Sequence, residues 1–363
     1  MPQDCCLVLE NGQCFHGKSF GAQGEVTGEI VFTTAMTGYL ETLTDPSYYG
    51  QMVVQTFPLI GNYGVIPSDF ESPRPALKAY IVREWCQSPS NFRSEGDLDA
   101  FLKGMGIVGM YDIDTRELTK IIREHGVMNA KIVAGGFDMQ ETLKEISMYR
   151  VENAVMCVTC HDSVKQSAQP AKHRVVLWDF GAKENIHREL IKRGCEVVTV
   201  PANTSAEAII AFSPDGIMLS NGPGDPADNQ DIIKELAKVC QAKIPLFGIC
   251  LGHQLLALSQ GAKTSKLKYG HRGANQPVKD LQTGRVYITS QNHGYAVVGD
   301  SLPDYAVNRY INANDKTCEG VSYQNMPAFS VQFHPEASAG PLDTGFLFDE
   351  FISRMEEEKA LCR

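Results

Sequence analysis

The sequence predicts a two-domain α/β protein, with a mostly parallel sheet flanked by helices in the C-terminal part and a mixed β/α domain before it. Three observations lead to this prediction. The chain has 363 residues, enough for two domains at about 150 residues each. From residue 175 onward, short apolar runs alternate with amphipathic helical ones, as in parallel sheets covered by helices. Before residue 150, short strand-like pieces are separated by glycine turns.

We expect the first domain at residues 1–150, a linker at 151–172 and the second domain at 173–363. The seam lies in SVKQSAQPAK, where small and polar residues and a proline interrupt the apolar rhythm. In the first domain, CLVLENGQCFHG and EIVFTTAMTGY resemble strands with their turns. Asp114, followed by Glu117, is predicted to open the helix TRELTKIIREH, and Gly126 to end it.

The second domain has a regular order of predicted elements, and its ligands are expected beyond the carboxyl ends of the strands. A glycine-rich turn follows the third strand. The predicted strands are VVLWDF, CEVVTV, GIMLS, IPLFGI, RVYITSQ and AFSVQFH, and the predicted helices are ENIHRELIKRG, QDIIKELAKVCQA, the segment after Cys250 and residues 343–359.

Composition excludes several classes of protein. The chain has 43% hydrophobic and 21% charged residues, which is ordinary for a globular protein. A formal net charge of -10 argues against a general nucleic-acid surface, which needs clustered Lys and Arg. No apolar run is long enough to span a membrane, and MPQDCCLVLENGQC lacks the features of a signal peptide. We therefore expect a cytoplasmic protein whose eleven cysteines are free thiols.

Cys250 lies where the strand IPLFGI meets a Leu-rich helix. Gly248 and Gly252 flank it two residues before and after, and Gly261 is expected to end the helix. A tight strand-turn-helix junction projects its residue beyond the sheet edge, as in a nucleophile elbow. The junction alone leaves two interpretations open, a catalytic nucleophile or a buried structural thiol, since free cysteine is among the most buried residue types.

His334 is the predicted partner of that thiol. A thiol with a pKa of about 8.5 is mostly protonated at neutral pH, so a catalytic cysteine needs a base or a cation beside it. His334 ends the strand AFSVQFH, and Glu336 follows two residues later, so a carboxylate can orient the imidazole. His253, three residues beyond Cys250, is interpreted as a packing or hydrogen-bonding residue.

Acyl transfer also needs donors for a developing oxyanion. The N–H of Leu251 is one candidate. A second could come from the loop SNGPGDP, in which Gly222 and Gly224 leave backbone N–H groups uncovered.

CVTCH, which contains Cys157, Cys160 and His161, has the spacing of c-type haem attachment. We interpret it as incidental, because such haem proteins are normally exported and no second cysteine pair completes a zinc site. We therefore expect no metal site.

Three separated motifs resemble those of the triad-type, or class I, glutamine amidotransferases: SNGPGDP, GICLGHQ and SVQFHPE, in that order. The resemblance implies that Cys250 attacks the side-chain amide of L-glutamine, releasing ammonia and forming a glutamyl thioester that water hydrolyses. It also implies that His334 acts as base and acid, with Glu336 behind it.

The N-terminal half resembles the small, glutamine-hydrolysing subunit of carbamoyl phosphate synthetases. The segments that carry this resemblance are GEIVFTTAMTGYLETLTDPSYYGQ, TFPLIGNYGV, DIDTRELTKIIREHG, QNHG and NANDKTCEG. Many relatives have phenylalanine at the position of Tyr295. The residues that the resemblance implies for contact with glutamine are Ser47, Gly222, Gly224, Leu251, Gln254, Asn292, Gly294 and Tyr295.

The resemblance further implies a partner, the large synthetase subunit, which makes carbamoyl phosphate from bicarbonate, ATP and ammonia for arginine or pyrimidine biosynthesis. Ammonia would pass to it internally, and the N-terminal domain would dock against it. The chain has no GxxxxGK[ST] loop, so we expect ATP and Mg²⁺ in the partner and no cofactor here. The end of the sequence at Arg363 favours a separate subunit over a fusion. Alternatives are a glutaminase subunit of an anthranilate or GMP synthetase, or a catalytically silent regulatory subunit.

Overall fold

The computed structural model describes residues 3–361, which divide into two compact units between Glu152 and Asn153. Most of the stretch expected to be a linker belongs to the second unit, where Ala154–Val158 form a helix and Val164–Ser167 an exposed strand. The observed break therefore follows Glu152, while the domain bounds drawn from sequence stay a prediction. Among the described residues, no helix has both the length and the apolar character that a membrane crossing requires.

Seven strands of the first unit form a closed sheet in the order β1-β2-β8-β6-β4-β3-β9. Strands β3, β4, β6 and β8 are parallel to their neighbours in turn and the other pairs are antiparallel, so the mixed β/α prediction is confirmed. The elements are β1 (Asp4–Leu9), β2 (Cys14–Gly21), β3 (Val26–Thr33), α1 (Tyr39–Thr44), β4 (Gln51–Gln55), β5 (Leu59–Ile60), β6 (Ala79–Ile81), β7 (Glu84–Trp85), α2 (Leu98–Met105), β8 (Val108–Tyr111), α3 (Thr115–His125), β9 (Met128–Ala134) and α4 (Met139–Met148).

Helix α3 begins and ends where the sequence predicts. The carboxylate of Asp114 accepts a hydrogen bond from the N–H of Glu117 at 2.9 Å, which satisfies one donor of the first turn. At the other end, the N–H of Gly126 donates to the carbonyl of Ile122 at 2.8 Å. The buried face includes Leu118 and Ile122, four residues apart, as an amphipathic helix requires.

The second unit contains a ten-stranded sheet in the order β10-β12-β11-β13-β14-β19-β18-β17-β15-β16. Strands β12, β11, β13, β14 and β19 are parallel, and antiparallel strands extend both edges. Its elements are α5 (Ala154–Val158), β10 (Val164–Ser167), β11 (His173–Asp179), α6 (Glu184–Lys192), β12 (Cys195–Pro201), α7 (Ala206–Ala211), β13 (Gly216–Leu219), α8 (Gln230–Gln241), β14 (Leu246–Ile249), α9 (Leu251–Ser259), β15 (Thr264–Asp280), β16 (Val286–Val297), β17 (Ala306–Asn312), β18 (Cys318–Tyr323), β19 (Ala328–Val331) and α10 (Phe346–Leu361).

The parallel strands read as continuous apolar runs because both of their faces are covered. Along β11, Val175 and Leu177 belong to one core cluster and Val176 and Trp178 to another, as expected for side chains that alternate between faces. Helices α6 and α10 contribute to the first cluster, and α7, α8 and α9 to the second. The prediction of a sheet flanked by helices is therefore confirmed.

The carboxyl ends of the parallel strands carry the loops that contain the candidate residues. Strand β11 is followed by residues 180–183, β13 by residues 220–226, β14 by Cys250 and β19 by residues 332–336. Parallel neighbours end at the same edge of the sheet. The fold therefore brings four separate loops to one place.

Candidate active site

Cys250 occupies the turn between β14 and α9, as the sequence predicts. Its φ of 52° and ψ of −102° belong to a region that residues other than glycine rarely adopt, at a free energy of about 1–3 kcal/mol. Two hydrogen bonds hold this conformation: the N–H of Cys250 donates to Val331 O at 2.8 Å, and its carbonyl accepts from Gln254 N at 3.1 Å. The surrounding structure, rather than the residue's own preference, therefore sets the direction of the thiol.

The two glycines around Cys250 allow close packing of α9 against the sheet. A Cβ on Gly248 would lie 2.9 Å from the backbone of Gly252, and a Cβ on Gly252 would lie 2.4 Å from the carbonyl oxygen of Leu219. Both distances are too short for a real Cβ contact with backbone. The glycines therefore permit the sharp turn that the elbow interpretation requires.

The thiol of Cys250 is nearly buried, with 3% of the residue exposed. Its Sγ lies 3.7 Å from Asn292 O, and Nε2 of Gln332 donates to it at 3.5 Å. The thiol also interacts with the side chain of His334 and acts to raise the pKa of that imidazole. The sulfur is thus within reach of the imidazole that the sequence pairs with it.

His334 is buried and holds its ring between Cys250 and Glu336. Nδ1 lies 2.6 Å from Glu336 Oε1, and Nε2 makes no hydrogen bond to any of residues 3–361, so it is free to accept a proton. Burial and the charge of Lys183 act to lower the pKa of His334, but the Glu336 carboxylate and the bonds to Cys250 and Glu336 outweigh them and raise it to about 10. The carboxylate therefore favours the imidazolium that forms when His334 accepts a proton from the thiol.

Lys183 is a member of this cluster that the sequence analysis missed. Its Nζ lies 3.2 Å from His334 Nδ1 and 3.4 Å from Glu336 Oε1. Because an ammonium group only donates, Glu336 Oε1 is the acceptor that lysine and histidine share. Burial raises the pKa of Glu336, but the charges of His334 and Lys183 outweigh it and lower that pKa to about 2. Glu336 is therefore a carboxylate at neutral pH.

The loop after β13 packs tightly against the elbow. A Cβ on Gly222 would lie 2.3 Å from Phe180 O, so only glycine fits there. Gly224 has a φ of 88°, a left-handed value that favours glycine. Asn221 lies in the same loop, just before Gly222, and its Oδ1 accepts a hydrogen bond from the N–H of Lys183 at 3.1 Å. The loop therefore helps to position the buried lysine.

Strand β16 and helix α9 bring further candidate residues toward Cys250. Asn292 contributes the carbonyl that lies next to Sγ. Nε2 of Gln254 donates to Tyr295 O at 2.7 Å and to Gln332 Oε1 at 2.9 Å. A Cβ added at Gly294 would lie 3.3 Å from Arg272 Nη2, so a larger side chain would be crowded there. Leu251 begins α9, so its N–H belongs to the first turn, where intrahelical acceptors are missing.

Ser47 lies in the first unit, in a single 3₁₀ turn at Pro46–Tyr48. Its N–H donates to Asp45 Oδ1 at 2.9 Å, and 9% of the residue is exposed. Its contact with glutamine stays a prediction.

Sequence spacing could have revealed one of the two residues that were missed, Gln332, but not Lys183. Gln332 precedes His334 by two positions, so the two share a side of the extended segment after β19. Lys183 closes the loop after β11, at the same sheet edge as the other candidates. Nothing in the sequence singles out this lysine among surface lysines, because its burial depends on packing between strands.

His253 is fully buried, and its Nδ1 lies 2.8 Å from Ser330 Oγ. Burial lowers the pKa of His253 to about 3. Its contacts are those of the packing and hydrogen-bonding residue that the sequence predicts. In CVTCH, Cys157 and Cys160 are free thiols.

Comparisons with known proteins cover nearly the whole chain. Residues 7–132 match the family "Carbamoyl-phosphate synthase small chain, CPSase domain", and residues 176–354 match "Glutamine amidotransferase class-I". A carbamoyl phosphate synthase small chain from Listeria monocytogenes serotype 4b is 53% identical over 352 residues, which are 96% of each chain. The small chain from Fusobacterium nucleatum is 51% identical over 355 residues, 96% of this chain and 98% of the other. The small chain from Oceanobacillus iheyensis is 51% identical over 355 residues, which are 97% of this chain and 96% of the other.

These relatives share about half of their residues with this chain over 96–97% of its length. The similarity includes both units, the amidotransferase motifs and the N-terminal region. The chain therefore belongs to the family of carbamoyl phosphate synthase small chains, with a class I glutamine amidotransferase domain.

Proposed function

We propose that the chain hydrolyses L-glutamine at Cys250 and supplies the ammonia for carbamoyl phosphate synthesis. One observation carries this proposal: a thiol at a strained strand-to-helix turn interacts with the side chain of His334, whose Nδ1 lies 2.6 Å from a buried carboxylate. This is the nucleophile, base and orienting group of a triad. The match of residues 176–354 to the class I glutamine amidotransferases supports this proposal.

In the first step, the thiol proton moves to His334 and the sulfur bonds to the amide carbon of the glutamine side chain. The oxygen of that carbonyl becomes an oxyanion, for which the N–H of Leu251 and a backbone N–H from the loop at Gly222 and Gly224 are the proposed donors. Collapse of the intermediate transfers the His334 proton to the leaving nitrogen, which departs as ammonia. A glutamyl thioester on Cys250 remains.

In the second step, His334 takes a proton from water, and the oxygen attacks the thioester carbon. The carbon–sulfur bond breaks, glutamate leaves, and the thiol is restored by the His334 proton. Glu336 stabilises the imidazolium in both steps, and Lys183 keeps Glu336 ionised. The proposed binding groups for glutamine are Ser47, Gln254, Asn292, Gly294 and Tyr295, together with the donors named above.

The name of the relatives, small chain, supports a larger partner that consumes the ammonia. In water at neutral pH, free ammonia is mostly protonated and no longer nucleophilic, so direct transfer avoids that loss. We infer that this partner, the large synthase chain, binds ATP and Mg²⁺ and uses bicarbonate, and that the present chain needs no cofactor. We place the complex in the cytoplasm, serving arginine or pyrimidine biosynthesis.

The test is Cys250→Ser in a complex reconstituted with a large chain. Glutamine-dependent carbamoyl phosphate formation should fall by at least about a thousandfold, because a serine hydroxyl is a poor nucleophile in a thiol site. Synthesis from added ammonium should persist, since it bypasses the cysteine. Cys157→Ser, at an exposed thiol, is the matched control and should retain both activities. Equal loss of both activities in Cys250→Ser would contradict the proposal.

A further inference from the structure

A second cluster of titratable groups, buried except for Asp315, lies on the antiparallel part of the second unit's sheet. It consists of His271 on β15, His293 on β16, Glu319 on β18, Asp315 in the turn between β17 and β18, and the amide of Gln291. Glu319 is fully buried and 9% of His271 is exposed. The cysteine chemistry proposed above uses none of these acids and bases.

His271 lies between the carboxyl groups of Asp315 and Glu319; burial raises the pKa of Glu319, and the bond to His271 and its charge act against that rise. Its Nε2 is 2.8 Å from Asp315 Oδ2, and its Nδ1 is 3.0 Å from Gln291 Oε1 and 3.3 Å from Glu319 Oε1. Both ring nitrogens face oxygen atoms, although the amide nitrogen of Asn312 also lies 3.5 Å from Nδ1; the two neighbouring acids favour the imidazolium form of the ring. Burial acts to lower the pKa of His271, but Glu319 and then Asp315 outweigh it and raise that pKa.

Gln291 connects this imidazolium to the thiol's surroundings. Its Nε2 donates to Glu319 Oε2 at 2.9 Å and to Thr289 Oγ1 at 3.2 Å, which fixes the amide so that Oε1 faces His271. The next residue, Asn292, contributes the carbonyl 3.7 Å from the sulfur of Cys250. The orientation of Gln291 therefore constrains the strand segment that lies against the active site.

His293 provides a second connection. Its Nε2 lies 3.2 Å from Gln291 Oε1, and its Nδ1 lies 2.8 Å from Tyr295 O, the carbonyl that also accepts from Gln254. Burial first, then the charges of His271, Arg272 and His334, keep the pKa of His293 well below its usual value. Residues 291–295 are thus held by the cluster on one side and by α9 on the other.

The spacing of these groups also resembles a divalent-metal site, since one ligand atom from each of His271, His293 and Glu319 lies within 4.8 Å of the others. Gln291 Oε1, however, lies 3.0 Å and 3.2 Å from the two imidazoles. An amide oxygen already fills the space that the two rings share. Protons on His271 Nδ1 and His293 Nε2 explain their distances to Gln291 Oε1 more directly than a metal ion does.

We propose that His271 is a positioning residue for glutamine binding, because as an imidazolium between Asp315 and Glu319 it orients Gln291 and so the segment 291–295. This inference rests on the proposed function. Loss of the Nδ1 proton of His271 removes the donor that faces Gln291 Oε1 and loosens the segment 291–295. The contacts of Cys250 and His334 do not change. KM for glutamine therefore rises with pH through the titration of His271, and kcat changes little.

The experiment measures KM and kcat for glutamine across the neutral and alkaline range, in the complex with a large chain. Asp315→Asn is the first variant, because that side chain is 46% exposed and asparagine keeps an oxygen that can accept from Thr317. Without that negative charge, the pKa of His271 falls and the rise in KM begins at lower pH. At a pH where KM of the variant has risen and KM of wild type has not, we expect the variant's KM to be about tenfold higher. Its kcat should stay within about twofold of the wild-type value.

Asp304→Asn removes an exposed aspartate outside the cluster and should match wild type at every pH. His271→Gln should raise KM at all pH values and abolish its dependence on pH, with ammonia-dependent synthesis retained. Identical KM profiles for Asp315→Asn and Asp304→Asn, or a KM that changes with added zinc or a chelator, would overturn the proposal. A wild-type complex without glutaminase activity would instead reject the proposed function.

Discussion

Lys183 places a positive charge against His334, the histidine that is proposed to carry a proton during the reaction. Its Nζ lies 3.2 Å from His334 Nδ1 and 3.4 Å from Glu336 Oε1. Its charge lowers the pKa of His334 and also that of Glu336. The lysine therefore opposes the effect of the carboxylate on the imidazole, so that the proton is not held too tightly to be passed to the leaving nitrogen.

Replacing Lys183 with Gln tests this role. With the positive charge gone, the pKa of His334 rises further, and the alkaline limb of kcat/KM for glutamine moves to higher pH. At neutral pH we expect kcat/KM to fall about tenfold, the effect of one lost charge-assisted hydrogen bond to Glu336. The measurement is a pH–rate profile of the glutaminase reaction. Lys192→Gln, on the exposed side of α6, serves as control. An alkaline limb that stays in place would show that the charge does not reach His334.

At the scale of elements, the sequence predicts the parallel strands well because their apolar runs are continuous and their loops carry recognisable motifs. It misses β15, β17 and β18. Strand β15 runs from Thr264 to Asp280 with basic and glycine residues throughout, a proline near its end, and two breaks in its register with β16. Neither strict alternation nor a continuous apolar run marks such a strand.

The same difference explains which site residues could be found. Cys250 and His334 stand at the ends of predictable elements, so their neighbourhood follows from the rule for parallel sheets. Lys183 and the network around His271 depend on cross-strand register, which single-sequence patterns do not specify. Ser47 belongs to the other unit, and only the family resemblance points to it.

The packing of α9 against β13 depends on Gly252, and we predict that Gly252→Ala destabilises the second unit. An added Cβ would lie 2.4 Å from Leu219 O, so backbone must shift, at about 1–3 kcal/mol. Because that shift moves the elbow, glutaminase activity should fall as well. Gly104→Ala, in α2 with open space around it, is the matched helical control and should be neutral or stabilising by up to about 1 kcal/mol. Equal thermal midpoints for the two variants would contradict the packing argument.

At the scale of the whole molecule, the two units have separate cores and can be followed separately. The chain has two tryptophans: Trp85 is in the first unit and the fully buried Trp178 is in the second. A single free energy of unfolding is not well defined for a multidomain chain. In a Trp85→Phe background, however, the fluorescence of Trp178 reports the unfolding of the second unit alone.

That probe tests the prediction that His253 makes the second unit sensitive to acid. Burial lowers the pKa of His253 to about 3, against about 6.5 in the unfolded chain. The neutral ring contributes stability above pH 6.5, and this contribution is lost as pH falls toward 3. Between about pH 6.5 and pH 5 the loss should reach about 2 kcal/mol.

Urea unfolding of the second unit at about pH 7 and pH 5 measures this loss. His253→Asn removes the group that must bind the proton, so its free energy of unfolding should fall less between the two pH values, by about the same 2 kcal/mol. The substitution also removes the bond to Ser330, so only the difference between the two pH values is informative. His161→Asn, at an exposed position, should show the same decrease in the free energy of unfolding as wild type. If His253→Asn also shows the wild-type decrease, other groups control the acid sensitivity of this unit.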